Sequence, residues 1–157
     1  MKFKEFVCFE SAISQLQADN RDEAIEELVS SLENSGKLKK EDSKSIIKAI
    51  IKRENEASTG LGRGVAIPHV KHKSVKEIIA AVGLSEEGID FFALDKMPVH
   101  SIILMISPLD DPDKHLQAME NIFKHLQVEK FRKFLRQCSS PEQIKELLIE
   151  ADEDPSL

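Results

Sequence analysis

The sequence predicts a single α/β domain with helices packed on both sides of a central sheet, and three observations carry that prediction. Residues 102–106, Ile-Ile-Leu-Met-Ile, are apolar without alternation, the mark of a strand buried on both faces. Segments with apolar residues at helical spacing lie both before and after that strand. No low-complexity tract, internal repeat or linker divides the 157 residues, a length that suits one domain.

The elements follow in order. Ala24, Ile25, Leu28, Val29 and Leu32 form one helical stripe over 21–34; Asn20 with Glu23 makes a capping-box start, and Gly36 stands where the helix should stop. Ile46, Ile47, Ile50 and Ile51 mark a second helix over about 42–55, which completes a helical hairpin. Three strand-like segments come next, "GVAIP", "IIAAVGLS" (78–85) and "VHSIILMIS" (99–107). Asp111 then caps a long helix with Pro112 at its first position. A short helix is expected in "EKFRKFLRQC", and a last one in "SSPEQIKELLIEA", where Ser140 caps, Pro141 leads and Gln143 completes a capping box. The domain is expected to cover residues 1–150, and the acidic residues 151–157 to form a frayed tail.

Hydrophobic content of 41% and charged content of 32% describe a globular protein, and a net charge of −6 argues against a nucleic-acid partner. The first residues lack the apolar core of a signal peptide and no stretch has the length of a membrane span, so a cytoplasmic protein without membrane insertion is expected. Cys8 and Cys138 lack CxxC spacing and read as reduced packing residues.

The stretch "STGLGRGVAIPHV", 58–70, holds three glycines in five positions and a histidine behind a proline. It matches neither the P-loop nor the dinucleotide-binding pattern, and a strand rather than a helix follows it, so it is not a nucleotide cradle. The glycines instead suit positive φ and close backbone approach beside His69. A neutral imidazole is a competent nucleophile toward phosphorus, and its product needs donors and cations around it. Backbone N–H groups, the Thr59 hydroxyl and the guanidinium of Arg53 or Arg63 are candidates. His115, in a first helical turn whose dipole disfavours a protonated ring, offers a second imidazole. The alternative, a metal held by His69, His72 and His115, lacks a helix that would put the first two on one face, and no metal or other cofactor is expected. His72, His100 and His125 read as surface residues.

The run "ENEASTGLGRGVAIPH" followed by "AAVGLSEEGIDFFALDKMPVHSIILMISPLDDPDKHL" resembles the EIIA domain of the bacterial phosphoenolpyruvate-dependent phosphotransferase system, of the fructose, mannitol and nitrogen-regulatory type. The resemblance covers nearly the whole chain and implies a mixed central sheet with helices on both faces. It also implies that His69 accepts a phosphoryl group from the phosphocarrier HPr on Nε2, with His115 as second active-site histidine and Arg53 and Thr59 beside them to stabilise phosphoryl charge. The implied partners are HPr and an EIIB component. The nitrogen-regulatory branch implies a different role, a binding module for kinases or transporters that phosphorylation switches. Two positions depart from the family pattern, Val70 and Lys96, where glycine is usual.

Overall fold

A computed structural model describes all residues from Met1 to Leu157. Every residue of the strand β5 (Val99–Ser107) is buried. A strand with no solvent on either face must satisfy its backbone groups inside the sheet, and β5 does so along both edges. On one side lies antiparallel β4 (Ile79–Ile89), in register from Ile79 opposite Ile106 to Leu84 opposite Ser101. On the other lie two short parallel strands, β2 (Val65–Ala66) and β3 (His69–Lys71). The offset to β5 is the same in both, Ala66 facing Ile102 and His69 facing Met105, so β2 and β3 are one line of chain interrupted at Ile67–Pro68. Proline has no N–H to give the ladder, but the Pro68 carbonyl still accepts from the Met105 N–H at 3.0 Å. The glycine-rich stretch is itself a small strand, β1 (Gly60–Gly62), turning back antiparallel onto β2. The five strands form one mixed sheet, as expected.

Side chains alternate across β5 and divide the core. Ile103 and Met105 meet Phe3 of α1 (Phe3–Phe6), Ile122 and Leu126 of α4 (Pro112–Leu126), Phe131 of α5 (Glu129–Gln137) and Leu148 of α6 (Pro141–Glu153). Ile102, Leu104 and Ile106 meet Ile25 and Leu28 of α2 (Arg21–Asn34) and Ile46 and Ile50 of α3 (Lys40–Glu56). Helices therefore cover both faces of the sheet. None of them is long and apolar enough to cross a membrane.

The caps fall at the expected residues. Asn20 accepts from the Glu23 N–H at 2.9 Å, Asp111 from that of Lys114 at 3.3 Å, and Ser140 from that of Gln143 at 3.2 Å. At α6 the return bond differs from a capping box: Gln143 Oε1 accepts from the N–H of Ser139 at 2.7 Å, one residue before the cap.

Two expectations are corrected. His100 and His125 are buried, not on the surface. His100 Nδ1 bonds the Ser85 carbonyl at 2.9 Å, while His125 packs between the rings of Phe3 and Phe131 with centroids 5.0 and 5.4 Å away. Residues 151–157 are not frayed either. Helix α6 runs to Glu153, and the Asp152 carboxylate accepts from the N–H groups of Phe3 at 2.6 Å and Lys4 at 3.0 Å, which caps α1 from across the chain. Leu157 then closes the core under α1, 1% exposed.

Replacing Leu157 by Ala therefore removes a buried side chain and should lower unfolding free energy by about 2 kcal/mol, the low end for leucine truncation. Urea unfolding followed by circular dichroism measures it; an unmoved midpoint would mean that the C-terminus contributes nothing to the core.

Candidate functional site

The row of side chains that β5 turns toward α4 ends in Ser107, which is fully buried. Its Oγ lies 2.7 Å from Nδ1 of His115, in the first turn of α4. His69 stands beside Met105 in the same row, and its ring centroid is 5.9 Å from that of His115, the planes tilted by 46°. Two histidines 46 residues apart in sequence thus meet at the carboxyl end of β5, the end at which open α/β sheets bind ligands.

A backbone contact fixes the tautomer of His69. Its Nδ1 lies 2.8 Å from the Ile67 carbonyl, which can only accept, so Nδ1 carries the proton in the neutral ring. Nε2 is left with its lone pair. Ile67 faces away from β5, its N–H donating to the Thr59 carbonyl at 3.3 Å, and its own carbonyl is taken up by the histidine two residues on.

His115 is held neutral. Partial burial is the first cause that pushes its pKa below the ordinary histidine value, followed by the positive charge of Lys71 and by His69. Lys71 lies opposite Ser107 in β3. A cation therefore stands close to the His115 ring without an ion-pair partner of its own.

The remaining candidates are arranged differently from expectation. Thr59 is buried and donates its one hydroxyl hydrogen to the buried carboxylate of Glu54, which also accepts from the Thr59 N–H at 3.1 Å. That hydroxyl has no hydrogen left for a phosphoryl oxygen, and Thr59 ties the glycine turn to the end of α3 instead. Arg53, in the last turn of α3, donates through Nη1 to the Ala57 carbonyl at 2.9 Å, a C-terminal cap with four further N–H bonds still available. Arg63 lines a separate cleft against α5. Both nitrogens of His72 face serines, Ser45 at 3.1 Å and Ser74 at 2.7 Å, so it does not join the histidine pair.

Three participants escaped the sequence reading: Ser107, Glu54 and the Ile67 carbonyl. Ser107 had a signal, since it interrupts the apolar row two residues after Met105. The positions that depart from the usual glycines differ from each other. Lys96 has φ of 60°, the left-handed conformation that glycine adopts freely, whereas Val70 lies in regular strand with no positive φ.

A family model described as phosphoenolpyruvate-dependent sugar phosphotransferase system, EIIA 2, matches residues 7–151. The chain is 31% identical over 152 residues to the fructose-specific EIIABC component of Bacillus subtilis; the match takes in 97% of this chain but 24% of that protein, so the chain spans about a quarter of its length. The nitrogen regulatory protein IIA-Ntr of Neisseria meningitidis superposes with a TM-score of 0.82 at 27% identity, covering 92% of this chain and 97% of that one. The mannitol enzyme IIA of Escherichia coli, solved in complex with phosphorylated mannitol enzyme IIB, shares the fold with a TM-score of 0.74 at 22% identity, covering 90% and 95%.

The lowered pKa of His115 has a measurable sign. As pH falls past the ordinary histidine value, the unfolded chain takes up a proton that the folded chain resists, so stability is lost on acidification through that window. In a histidine-detected NMR titration His115 should titrate below the ordinary value, and Lys71→Gln should move it upward; no movement would remove Lys71 from the electrostatics of the pair.

Proposed function

This chain belongs to the EIIA type-2 family of the phosphoenolpyruvate-dependent sugar phosphotransferase system, and on that premise we propose that it relays a phosphoryl group in the cytoplasm from HPr, through His69, to an EIIB component. The observation that carries the residue assignment is the Nδ1 contact of His69 with the Ile67 carbonyl at 2.8 Å. In the neutral ring it leaves the Nε2 lone pair bare, so no base is needed to activate that form.

In the forward step the Nε2 lone pair attacks phosphorus of the donor phosphohistidine. The donor P–N bond breaks and its electron pair returns to the donor ring, while Nδ1 of His69 keeps its proton on the carbonyl. No proton is exchanged with solvent in this step. The new phosphoryl group brings up to two negative charges beside His115 and Lys71. With the Ser107 hydroxyl donating to Nδ1 of His115, the single proton of that neutral ring sits on Nε2 and is available to a phosphoryl oxygen. Arg53 keeps donors free for the same charge. Thr59 acts through Glu54, holding the turn in shape rather than touching phosphate.

A second reading has its own support, the 0.82 TM-score against IIA-Ntr with almost all of both chains superposed. In it the phosphoryl group on His69 is the signal, and the protein binds or releases a kinase or transporter according to its state.

Incubation with phosphoenolpyruvate, enzyme I and HPr should add one phosphoryl group by intact mass, and His69→Ala should add none. Full labelling of that variant would overturn the assignment of His69. His115→Ala should still accept but donate to a fructose-type EIIB about ten- to a hundredfold more slowly, the value of one charge-assisted hydrogen bond. Labelling with no transfer to any EIIB would favour the regulatory reading.

A further inference from the structure

At the amino end of β5, away from the histidine pair, a cleft of about 530 Å³ opens between the sheet and α5. Val65 is the one hydrophobic residue of its lining. Arg63 reaches it from the β1–β2 turn, and Arg132, Lys133 and Arg136 reach it from one side of α5; Glu129 is the one acid. In a chain of net charge −6 this concentrates three net positive charges on one concave surface.

None of these cations is neutralised. The ion pairs of the protein are Lys2–Glu153, Arg21–Asp22 and Lys114–Asp111, all elsewhere. Arg132 is the one with a hydrogen bond from its side chain, 2.7 Å to the Leu126 carbonyl, which fixes its stem and leaves the rest of its guanidinium free. Unpaired like charges repel, so an arrangement that holds them together is favourable when an anion completes it.

Two features of the sheet edge point the same way. Ser101 lines the cleft, and its hydroxyl keeps access to solvent and bonds no other group of the protein. Such a hydroxyl can exchange water for a ligand oxygen without giving up a bond within the protein. Arg63 has φ of 58°, a left-handed conformation between Gly62 and Gly64 at 85° and 82°. Its N–H bonds Asp95 at 2.9 Å, so the turn that carries this guanidinium is held in a conformation an L-residue adopts at a cost.

We propose that this cleft is a binding site for a small, multiply phosphorylated, non-aromatic molecule, independent of the phosphoryl site at His69. The volume suits a small ligand. Three net positive charges match more than one phosphate, and the lining holds no Phe, Tyr or Trp; its single ring, His100, is 8% exposed and leaves little surface for a base to stack upon. Arg132 and Arg136, one helical turn apart, would take one phosphate between them, and Arg63 with the Ser101 hydroxyl the other.

The test is calorimetric titration of the intact protein at low ionic strength with fructose 1,6-bisphosphate, pyrophosphate, inorganic phosphate and ATP as probes. The bisphosphate should bind saturably and at least about tenfold more tightly than inorganic phosphate. Lys133→Gln/Arg136→Gln should weaken it about tenfold or more and Ser101→Ala about fivefold, both without a change in melting temperature. His69→Ala should leave it unchanged, which separates this site from the phosphoryl site whatever becomes of the proposed relay. No saturable binding, equal binding by the double variant, or loss of binding in His69→Ala would each overturn the proposal. Tighter binding of ATP than of the bisphosphate would overturn the exclusion of a base.

Discussion

Nine buried residues in a row leave the backbone of β5 no recourse to water, so every N–H and C=O along it must be paired by a neighbouring strand. That requirement accounts for most of what surrounds it. Along one edge a long antiparallel strand answers it simply. Along the other, the chain must supply partners through a stretch that contains a proline, and it does so by keeping register on both sides of Pro68 and using the Pro68 carbonyl in between. The histidine follows directly after the proline, so the pairing demand of the central strand sets its position.

The chemistry of the pair then depends on small departures from regularity. Ile67 has its carbonyl turned to a side chain, not to a strand, and that choice decides which nitrogen of His69 is bare. The apolar row of β5 ends in a serine, and that residue decides how the second ring is held. Lys71 brings positive charge to the same place from β3, and burial acts with it to keep His115 uncharged. A second ring whose charged form is disfavoured leaves the site able to take on and release a dianion without trapping it.

Much of this was legible in the residues and some was not, for physical reasons. The central strand was readable because a strand buried on both faces has no polar alternation to hide it. The caps were readable because a side chain that accepts from the third N–H of a helix must be short and polar. The hairpin of β1 was not, since three residues with two glycines have no side-chain pattern and pair through backbone alone. His125 was misread from its neighbour Lys124, although its spacing from Ala118 and Ile122 puts it on the buried face of α4. The C-terminal residues looked free because of their acidity, but one of those acids, Asp152, serves the N-terminus of a helix at the other end of the chain. The pairing of His69 with His115 had no local signature in the sequence; the family resemblance linked them. The hydroxyl of Thr59 was expected to face the site because nothing in the sequence tells that Glu54, five residues earlier, meets it first.

The unbroken register across Pro68 bears on how this chain tolerates insertions and deletions. Side chains alternate between the two faces of a sheet, so one residue gained or lost between Ala66 and His69 turns the histidine from the side of α4 to the side of α3. No intermediate position exists. Length changes in the turn at 63–64 are absorbed before the strand begins and leave the ring where it is. The permissible lengths of the two short segments on either side of β2 therefore differ sharply, although both are glycine- or proline-marked and of similar size. Among sequences with this fold, gaps are to be sought in the hairpin and not in the three residues that precede the histidine.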